Sequence, residues 1–347
     1  YCGMLNASYN LALRNIRAYI PQKPVGTAEQ VAENIKEFLP IARALLGLAN
    51  LKIISFGPRP KDFLACNAPI KRLYDLGVEI EENSELDLFE AYHAHMDDPR
   101  IPAVAEDMAK ELGAGNRMPG ILPRLAQYEV TLTDWISDHR DGREFVALAN
   151  KCWPAFQTQF GFVPCYVNSR FASRGIPIAC EVDIWGALSE YIASCITGDA
   201  VTILDINNTV PADMYEDSIK GRYNYREDDV FMGFHCGNTP VCKLCSPELK
   251  YQLIMHNSLE PDTEPDITRG TVEGAIVPGN ITLFRLQSTA DTVLRAYIAQ
   301  GEVLPVAPDT FGSVGIFAIH EMGRFYRCEL LEHNVPHHGA VAFSHCG

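Results

Sequence analysis

The first clear pattern of hydrophobic positions in the chain is helical. Apolar residues recur three and four positions apart over residues 27–46, which predicts a helix. Thr27 or one of its neighbours is able to cap the start of this helix. Proline cannot donate a backbone hydrogen bond inside a helix, so Pro40 is expected to kink or split it, and Gly47 is the expected stop.

A strand–helix–strand pattern follows this helix. The apolar run 51–56 predicts a short buried strand, residues 63–76 predict a helix, and residues 77–80 predict the next strand. A further helix is predicted at residues 99–112. Because strands that are joined through a helix usually lie parallel in one sheet, the first half of the chain predicts an α/β domain with a parallel sheet.

The pattern changes from about residue 199 onward. Short β-branched runs are now separated by Gly, Pro, Asn and Asp, which predicts a mostly β, barrel-like domain. The clearest runs are residues 200–204, 274–277, 281–286 and 313–319. Residues 213–229 are polar and charged, which predicts a loop. We therefore expect an α/β domain over residues 1–200 and a β-rich domain over residues 201–347.

Composition and charge narrow the classes of function. The chain has 44 acidic and 29 basic side chains, which gives a net charge of −15 at pH 7. This balance repels nucleic-acid phosphates and anionic lipids, so we expect neither a nucleic acid nor a membrane as partner. No apolar stretch has the length of a membrane span, and the first residues lack the pattern of a signal peptide. We therefore expect the protein in the cytoplasm.

The 11 cysteines favour free thiols in a reducing compartment over a disulfide framework. One group of them allows a different interpretation. Cys236, Cys242 and Cys245, with His235 and His256 nearby, contain the residue types of a structural zinc site. No second C-x2-C pair stands at a standard spacing, so zinc is kept as an alternative.

One carboxylate stands among apolar residues at the end of a predicted strand. Residues 176–188 surround Glu181 with apolar side chains, and a helical pattern follows. Open α/β sheets bind their ligands at the carboxyl ends of strands, where helices begin. Because burying a lone ionised carboxylate is costly, we expect a functional Glu181 rather than a solvated or salt-bridged one.

Three further positions carry candidate chemistry, each with a plain structural alternative. Asp205 follows the apolar run 200–204, and it suits either a site carboxylate or an Asx-turn. His337 and His338 are neighbours in an extended segment, so their side chains point to opposite faces. Either one of them faces a site or both are loop histidines. His235 follows an apolar run, and on sequence alone a hydrogen-bonded core histidine is favoured.

Two carboxylates and an imidazole together form a hard, oxygen-rich set of ligands. Such a set suits Mn²⁺ or Mg²⁺ better than a closed zinc site. The ion can polarise a carbonyl and orient a hydroxyl beside it. A neighbouring carboxylate can then move a proton from the adjacent carbon. This combination fits aldose–ketose interconversion through an ene-diol.

Six short motifs occur in order along the chain. They are KCWP at 151–154, GIPIACEVDIWGA at 175–187, LDINN at 204–208, HCGN at 235–238, PGNITLFR at 278–285 and NVPHHG at 334–339. Together they resemble the L-fucose isomerase and L-arabinose isomerase superfamily over most of the chain. The separation of Glu181 from Asp205 is also similar to that between the two metal-binding carboxylates of fucose isomerase. The resemblance implies a Rossmann-like parallel-sheet domain followed by a β-rich, barrel-like C-terminal domain.

The resemblance also implies a reaction and a set of metal ligands. The activity would be that of an Mn²⁺-dependent ketol isomerase of a sugar similar to L-fucose or arabinose, with Mg²⁺ or Co²⁺ as alternative ions. Glu181 and Asp205 would bind the ion and act as the acid/base pair across the ene-diol. His338 would be the third protein ligand, and His337 is the fallback.

Two more residues are assigned to the substrate by the same resemblance. Asn334 would contact substrate hydroxyls. His235 occupies a position similar to a metal-binding histidine of arabinose isomerase, and we assign it to substrate binding.

The family fold also implies an assembly. By this resemblance the chain begins at the second domain of that fold. In the fucose isomerase group, the first domain reaches into the site of a neighbouring subunit within a hexamer, so we expect a homo-oligomer, either a hexamer or a trimer. The alternative is a non-catalytic sugar- or metal-binding module that kept the scaffold and lost a complete site.

Overall fold

The structure is a computed structural model that describes residues 2–61, 63–153, 156–306, 308–320 and 337–344. Its first half contains a parallel sheet with the strand order β2-β1-β3-β4. The strands are β1 (Leu51–Phe56), β2 (Glu79–Asn83), β3 (Phe145–Ala149) and β4 (Ile178–Ala179). The helices of this half are α1 (Cys2–Leu13), α2 (Ala28–Ala49), α3 (Lys71–Asp75), α4 (Glu85–Ala94), α5 (Ile101–Leu112), α6 (Leu122–His139), α7 (Cys165–Ser173) and α8 (Ile184–Thr197).

The second half contains a mostly antiparallel sheet that closes on itself. Its strands are β5 (Val201–Thr209), β6 (Val230–His235), β7 (Glu248–Tyr251), β8 (Arg269–Ala275), β9 (Gly279–Ser288), β10 (Leu294–Leu304), β11 (Ser313–Ile319) and β12 (His338–Phe343). Two short helices, α9 (Ala212–Ser218) and α10 (Leu253–Leu259), lie between them. The order is β10-β9-β12-β5-β6-β11-β8-β7, and β10 also pairs with β11, which closes six strands into a barrel. The predicted fold class is thereby confirmed.

Helix α8 connects the two halves through a shared core. Trp185 and Leu188 of this helix lie in one buried cluster with Ile53 of the parallel sheet and Ile203 of the barrel. Buried apolar surface is the main stabilising contribution here, so α8 is held between the two sheets. The predicted domain boundary near residue 200 falls between α8 and β5. In the described part of the chain, no helix is long and apolar enough to cross a membrane.

The predicted helix over residues 27–46 is α2, and Thr27 caps it in a capping box with Gln30. The helix continues through Pro40 to Ala49, so the predicted split at Pro40 and the stop at Gly47 are wrong. A kink at Pro40 stays a prediction. The one hydrogen bond that Pro40 removes does not end a helix of 22 residues. Gly47 has a packing role, because a Cβ there would lie 2.7 Å from the Tyr191 hydroxyl of α8.

Two other predicted elements also differ from the structure. The helix expected over residues 63–76 is a short 3-10 turn, Leu64–Asn67, followed by the separate helix α3. Pro69 stands between the two and favours an extended residue before it. The segment expected to be a loop at residues 213–229 contains most of α9.

Candidate metal and sugar site

Glu181 lies directly after β4, in the turn Cys180–Val182 that leads into α8. Its backbone is left-handed, with φ 61° and ψ 24°, and Val182 has φ 52°. Residues other than glycine rarely adopt this left-handed backbone conformation, which costs about 1–3 kcal/mol for each such residue. The Val182 amide donates to the carbonyl of Asn150 at 2.9 Å, which ties the strained turn to the end of β3.

Asp205 and His338 come from the barrel. They are directly paired residues on the antiparallel strands β5 and β12. Residues that are opposite each other in such a pair project from the same face of the sheet. Accordingly, Asp205 Oδ1 lies 3.3 Å from His338 Nε2.

The carboxylate of Glu181 meets this pair from the side of the parallel sheet. Its Oε2 lies 3.4 Å from His338 Nε2 and 3.0 Å from His337 Nε2. His337 Nε2 is farther from Asp205 Oδ1, at 3.9 Å. Ligand atoms of Glu181, His337, His338 and Cys66 all lie within 4.8 Å of one another, and Asp205 joins this group through its contacts with the two histidines. Their roles remain predictions.

The spacing of these atoms fits a divalent ion. Two ligand atoms at right angles, each about 2.1 Å from an ion, are about 3 Å apart, which is close to the distances between these side chains. Asp205 Oδ1 and His338 Nε2 are also buried with no hydrogen-bond partner among the described residues. Because buried polar atoms are normally paired, an ion between the two would satisfy both. The types of ligand atom and their spacing therefore fit the divalent ion that the family resemblance implies.

While no ion is bound, electrostatics favour the ionised carboxylate of Asp205 and the protonated imidazole of His338. Burial raises the pKa of Asp205, but the neighbouring imidazoles, led by His338, lower it more, so its pKa lies below the usual value. Burial likewise lowers the pKa of His338, and the carboxylates of Asp183 and Asp205 outweigh that effect and hold it well above the usual value. The cluster therefore favours a positive charge between these side chains, and a bound cation would supply it in place of the Nε2 proton of His338.

Two site residues were missed by sequence reasoning, Asp183 and Arg285. Asp183 Oδ2 lies 2.8 Å from His338 Nδ1, on the edge of the ring opposite to Nε2. Arg285 donates to both oxygens of Asp183, at 2.6 and 2.9 Å. Both residues stand in motifs that carried the family resemblance, and the signal was a charged side chain in an otherwise apolar run.

Cys66 is a third missed residue beside the site. Its Sγ lies 3.7 Å from Glu181 Oε2. Burial raises the pKa of this thiol to about 12, so it is protonated at neutral pH and donates to the carboxylate. The apolar sequence around Cys66 suggested only a small buried hydrophobic residue.

An aromatic wall borders the site, and we define it as Phe63 and Trp153. The two rings meet edge to face with centroids 5.6 Å apart. The Phe63 ring also packs on His337, at a centroid distance of 5.1 Å. The Phe63 side chain is 37% exposed, so an apolar surface stands open beside the polar cluster.

The two residues assigned to the substrate have different outcomes. Asn334 lies outside the described residues. His235 ends β6, is buried, and has its ring centroid 5.8 Å from that of His338. Burial lowers its pKa, and the neighbouring Cys180 raises it more, to about 9. Its assignment to the substrate remains a prediction.

The alternative zinc site does not assemble. Cys242 and Cys245 are exposed. Across the described ranges, the groups of three or more His, Cys, Asp or Glu that are close enough to hold an ion do not include Cys236, Cys242 or Cys245. A second such group, His95 with Asp98 and Asp134, already has the Arg100 guanidinium bound to both carboxylates. It is better described as an ion-pair cluster.

Comparison with known families supports the resemblance to the fucose isomerase superfamily. Residues 233–347 match the model of the L-fucose isomerase, C-terminal domain. Residues 1–49 match the model of the fucose/sulfoquinovose isomerase, N-terminal domain. The predicted resemblance to the fucose isomerase superfamily is confirmed. The match to the N-terminal domain model contains α1 and α2. These residues belong to the range 1–200, which was expected to be the second domain of the family fold.

Curated proteins to which this chain is similar include sulfoquinovose isomerases. The protein from Alkalicoccus urumqiensis is 24% identical over 327 residues, which is 92% of this chain and 64% of the relative. The protein from Priestia aryabhattai is 27% identical over 277 residues, which is 79% of this chain and 55% of the relative. The protein from Clostridium sp. (strain MSTE9) is 25% identical over 286 residues, 80% of this chain and 56% of the relative. The chain thus spans between half and two thirds of their length.

Proposed function

We propose that the protein is a divalent-metal-dependent aldose–ketose isomerase acting on a sugar. The observation that carries the proposal is the position of His338 Nε2 beside carboxylate oxygens of both Glu181 and Asp205. Among the described residues, this nitrogen and Asp205 Oδ1 are buried without a hydrogen-bond partner. The relatives named as sulfoquinovose isomerases support the same class of reaction. A non-catalytic module that lost its site would have no need to keep this set together.

The proposed ion is Mn²⁺, with Mg²⁺ or Co²⁺ as alternatives. Two carboxylates and an imidazole are the ligand types that such ions accept. Cys66 lies beside this set, with its Sγ 3.7 Å from Glu181 Oε2. When bound, the ion would polarise the sugar carbonyl and orient the adjacent hydroxyl.

Glu181 and Asp205 are the proposed acid/base pair. In the aldose-to-ketose direction, one carboxylate takes the proton from C2 while the C1 carbonyl oxygen gains a proton, which gives the ene-diol. Return of a proton to C1 and loss of the proton from the C2 hydroxyl then give the ketose. C1 is reduced as C2 is oxidised, so the reaction needs no external oxidant.

The candidate sugars are L-fucose, L-arabinose and a sulfonated hexose. The first two follow from the family resemblance, and the third is the kind of sugar after which the relatives are named. The aromatic wall supports a sugar ligand. Phe63 offers an apolar face beside His337, against which the C–H face of a pyranose can pack.

We further propose a cytoplasmic homo-oligomer, either a trimer or a hexamer. The nine cysteines in the described part of the chain are free, as a reducing compartment favours. Helix α1 buries none of its residues and exposes several large apolar side chains, which suits an interface. These side chains are Met4, Leu5, Tyr9 and Leu13. Light scattering on the full-length protein tests the proposal, and a monomer would contradict it.

The test of function is an isomerisation assay of the full-length protein with added Mn²⁺. The substrates are L-fucose, L-arabinose, D-arabinose and sulfoquinovose. Turnover of at least one sugar is expected, and Glu181→Gln and Asp205→Asn should each lower it by about 100-fold or more. Glu106→Gln and Asp75→Asn change exposed carboxylates outside the site and serve as matched controls. Near-normal turnover in Glu181→Gln or Asp205→Asn would overturn the proposal.

A further inference from the structure

A buried ion pair holds the imidazole of His338 from the side away from the other ligands. Asp183 and Arg285 are almost completely buried, as is His338. Asp183 Oδ2 accepts the Nδ1 proton of His338 at 2.8 Å. Arg285 binds Asp183 through two parallel hydrogen bonds, a geometry that holds it as a carboxylate. An ionised carboxylate has no proton to donate, so Nδ1 must carry the shared one.

We propose that Asp183 and Arg285 are positioning residues that fix the tautomer of His338 and thereby set the affinity of the site for its ion. The inference rests on the proposed function, in which His338 is a metal ligand. In the neutral imidazole that binds an ion, the proton is on Nδ1 and the free lone pair is on Nε2. That nitrogen lies 3.3 Å from Asp205 Oδ1 and 3.4 Å from Glu181 Oε2.

The carboxylate of Asp183 is fixed by three elements of the fold. Its Oδ1 accepts the amide of Gly186 at 2.9 Å and so caps α8. Arg285 comes from β9, and His338 comes from β12. A Cβ at Gly186 would lie 2.6 Å from Asp183 Oδ2, so glycine leaves the space that the carboxylate occupies. The turn that carries Glu181 and the strand that carries His338 are thereby joined through one side chain.

Stability alone does not account for this arrangement. Replacing a buried ion pair with apolar residues of similar volume is often neutral or stabilising, because desolvation offsets the attraction between the charges. In contrast, mutating a residue that hydrogen-bonds to a ligating histidine typically lowers metal affinity by about 10–100-fold. Asp183 and Arg285 have the geometry of such partners.

The variant that tests the role is Asp183→Asn, which keeps the shape of the side chain and an acceptor for the α8 cap. In the orientation that keeps the α8 cap, the amide oxygen replaces Oδ1 and accepts from Gly186 and from Arg285 Nη2, and the amide nitrogen replaces Oδ2 and faces His338 Nδ1. That nitrogen must then accept, which moves the ring proton to Nε2 and blocks the ligand position. We expect the dissociation constant for Mn²⁺, measured from the EPR signal of the free ion, to rise about 10–100-fold.

The matched control is Asp134→Asn. Asp134 also lies between an arginine and a histidine, Arg100 and His95, but on α6 and outside the site. This variant should leave the dissociation constant for Mn²⁺ unchanged. Circular dichroism and thermal midpoints of both variants without metal show whether each remains folded.

A spectroscopic measurement on the wild type does not depend on how a variant folds. With histidine ¹⁵N-labelled and Mg²⁺ as a diamagnetic ion, His338 should show a protonated Nδ1 and an unprotonated Nε2. The opposite tautomer, or a folded Asp183→Asn with the wild-type dissociation constant, would overturn the positioning role alone. A wild type that binds no divalent ion would overturn the proposed function and this inference with it.

Discussion

Asp205 and His338 face each other across the neighbouring strands β5 and β12, with Oδ1 and Nε2 3.3 Å apart. Neither atom has a hydrogen-bond partner in the described parts of the chain. A slip of one residue in β12 would turn His338 to the other face of the sheet. The register of the barrel therefore determines which of the two adjacent histidines meets the carboxylates.

This register leads to a prediction about His337 and His338. His338 is fully buried, with its Nε2 within 3.4 Å of both carboxylates. His337 is 27% exposed, with its Nε2 3.0 Å from Glu181 and 3.9 Å from Asp205. His338→Gln should raise the dissociation constant for Mn²⁺ by more than about 100-fold, beyond the loss typical of a supporting residue. His337→Gln should raise it less. Isothermal titration with both variants measures the order, and a larger effect of His337→Gln would make His337 the ligand.

The aromatic wall predicts an effect on sugar binding that leaves the metal alone. Phe63→Ala removes the exposed ring beside His337, and about 1 kcal/mol of aromatic contact corresponds to a KM about fivefold higher. The affinity for Mn²⁺ should not change. Leu64→Ala is the control, because Leu64 is the adjacent residue and is mostly exposed. Equal KM values for Phe63→Ala and the wild type would exclude the wall from the sugar site.

A buried ion-pair network away from the site predicts a loss of stability without loss of metal binding. Arg170 is 3% exposed and binds Glu129, which is 5% exposed, as well as Asp107 and Glu111. Arg170→Met leaves the buried carboxylate of Glu129 without its buried partner and should lower the free energy of unfolding by about 3 kcal/mol. Arg174 also binds Glu129, but it is 44% exposed.

The exposed arginine supplies the control for that experiment. Arg174→Met should cost less than about 1 kcal/mol, because exposed ion pairs contribute little. Urea denaturation measures both values, and Mn²⁺ titration shows whether the site is intact. Equal losses in the two variants would contradict the role of burial.

His95 predicts a pH-dependent contribution to stability. Burial lowers its pKa, but the hydrogen bonds to the Ala91 carbonyl and to Asp134 raise it more, so it lies above the usual value. A group with a raised folded-state pKa stabilises fully below its unfolded pKa of about 6.5, and it loses that contribution as pH rises through the folded-state pKa. His95→Gln should therefore lower the free energy of unfolding more at pH of about 6 than at about 9. The difference should stay under about 1 kcal/mol because the pair is partly exposed, and an equal effect at both values would refute it.

Part of the fold was predictable because local patterns and tertiary packing agree. The apolar run of β1 is buried along its whole length, as a central parallel strand requires. Gly47 shows where a prediction from local sequence fails. This glycine does not end α2 but gives room to Tyr191, which is distant in sequence. The split predicted at Pro40 does not occur, because the other hydrogen bonds and contacts of α2 outweigh the one hydrogen bond that proline removes.

The candidate site was predictable to a similar extent. Glu181, Asp205 and His338 stand in motifs whose order could be recognised, and the structure brings them together. The pairing of Asp183 with Arg285 joins residues that are 102 positions apart, and nothing in either local pattern indicates the partner. Contacts of this kind depend on strand register and on the packing of α8, which single-sequence patterns do not specify.

The most direct test of the account is a crystal of the full-length protein with Mn²⁺, measured by anomalous diffraction. We predict one strong peak about 2.2 Å from a carboxylate oxygen of Glu181, from Asp205 Oδ1 and from His338 Nε2. A protein with no peak between these three side chains, or with its only peak at the thiols of Cys242 and Cys245, would contradict the account.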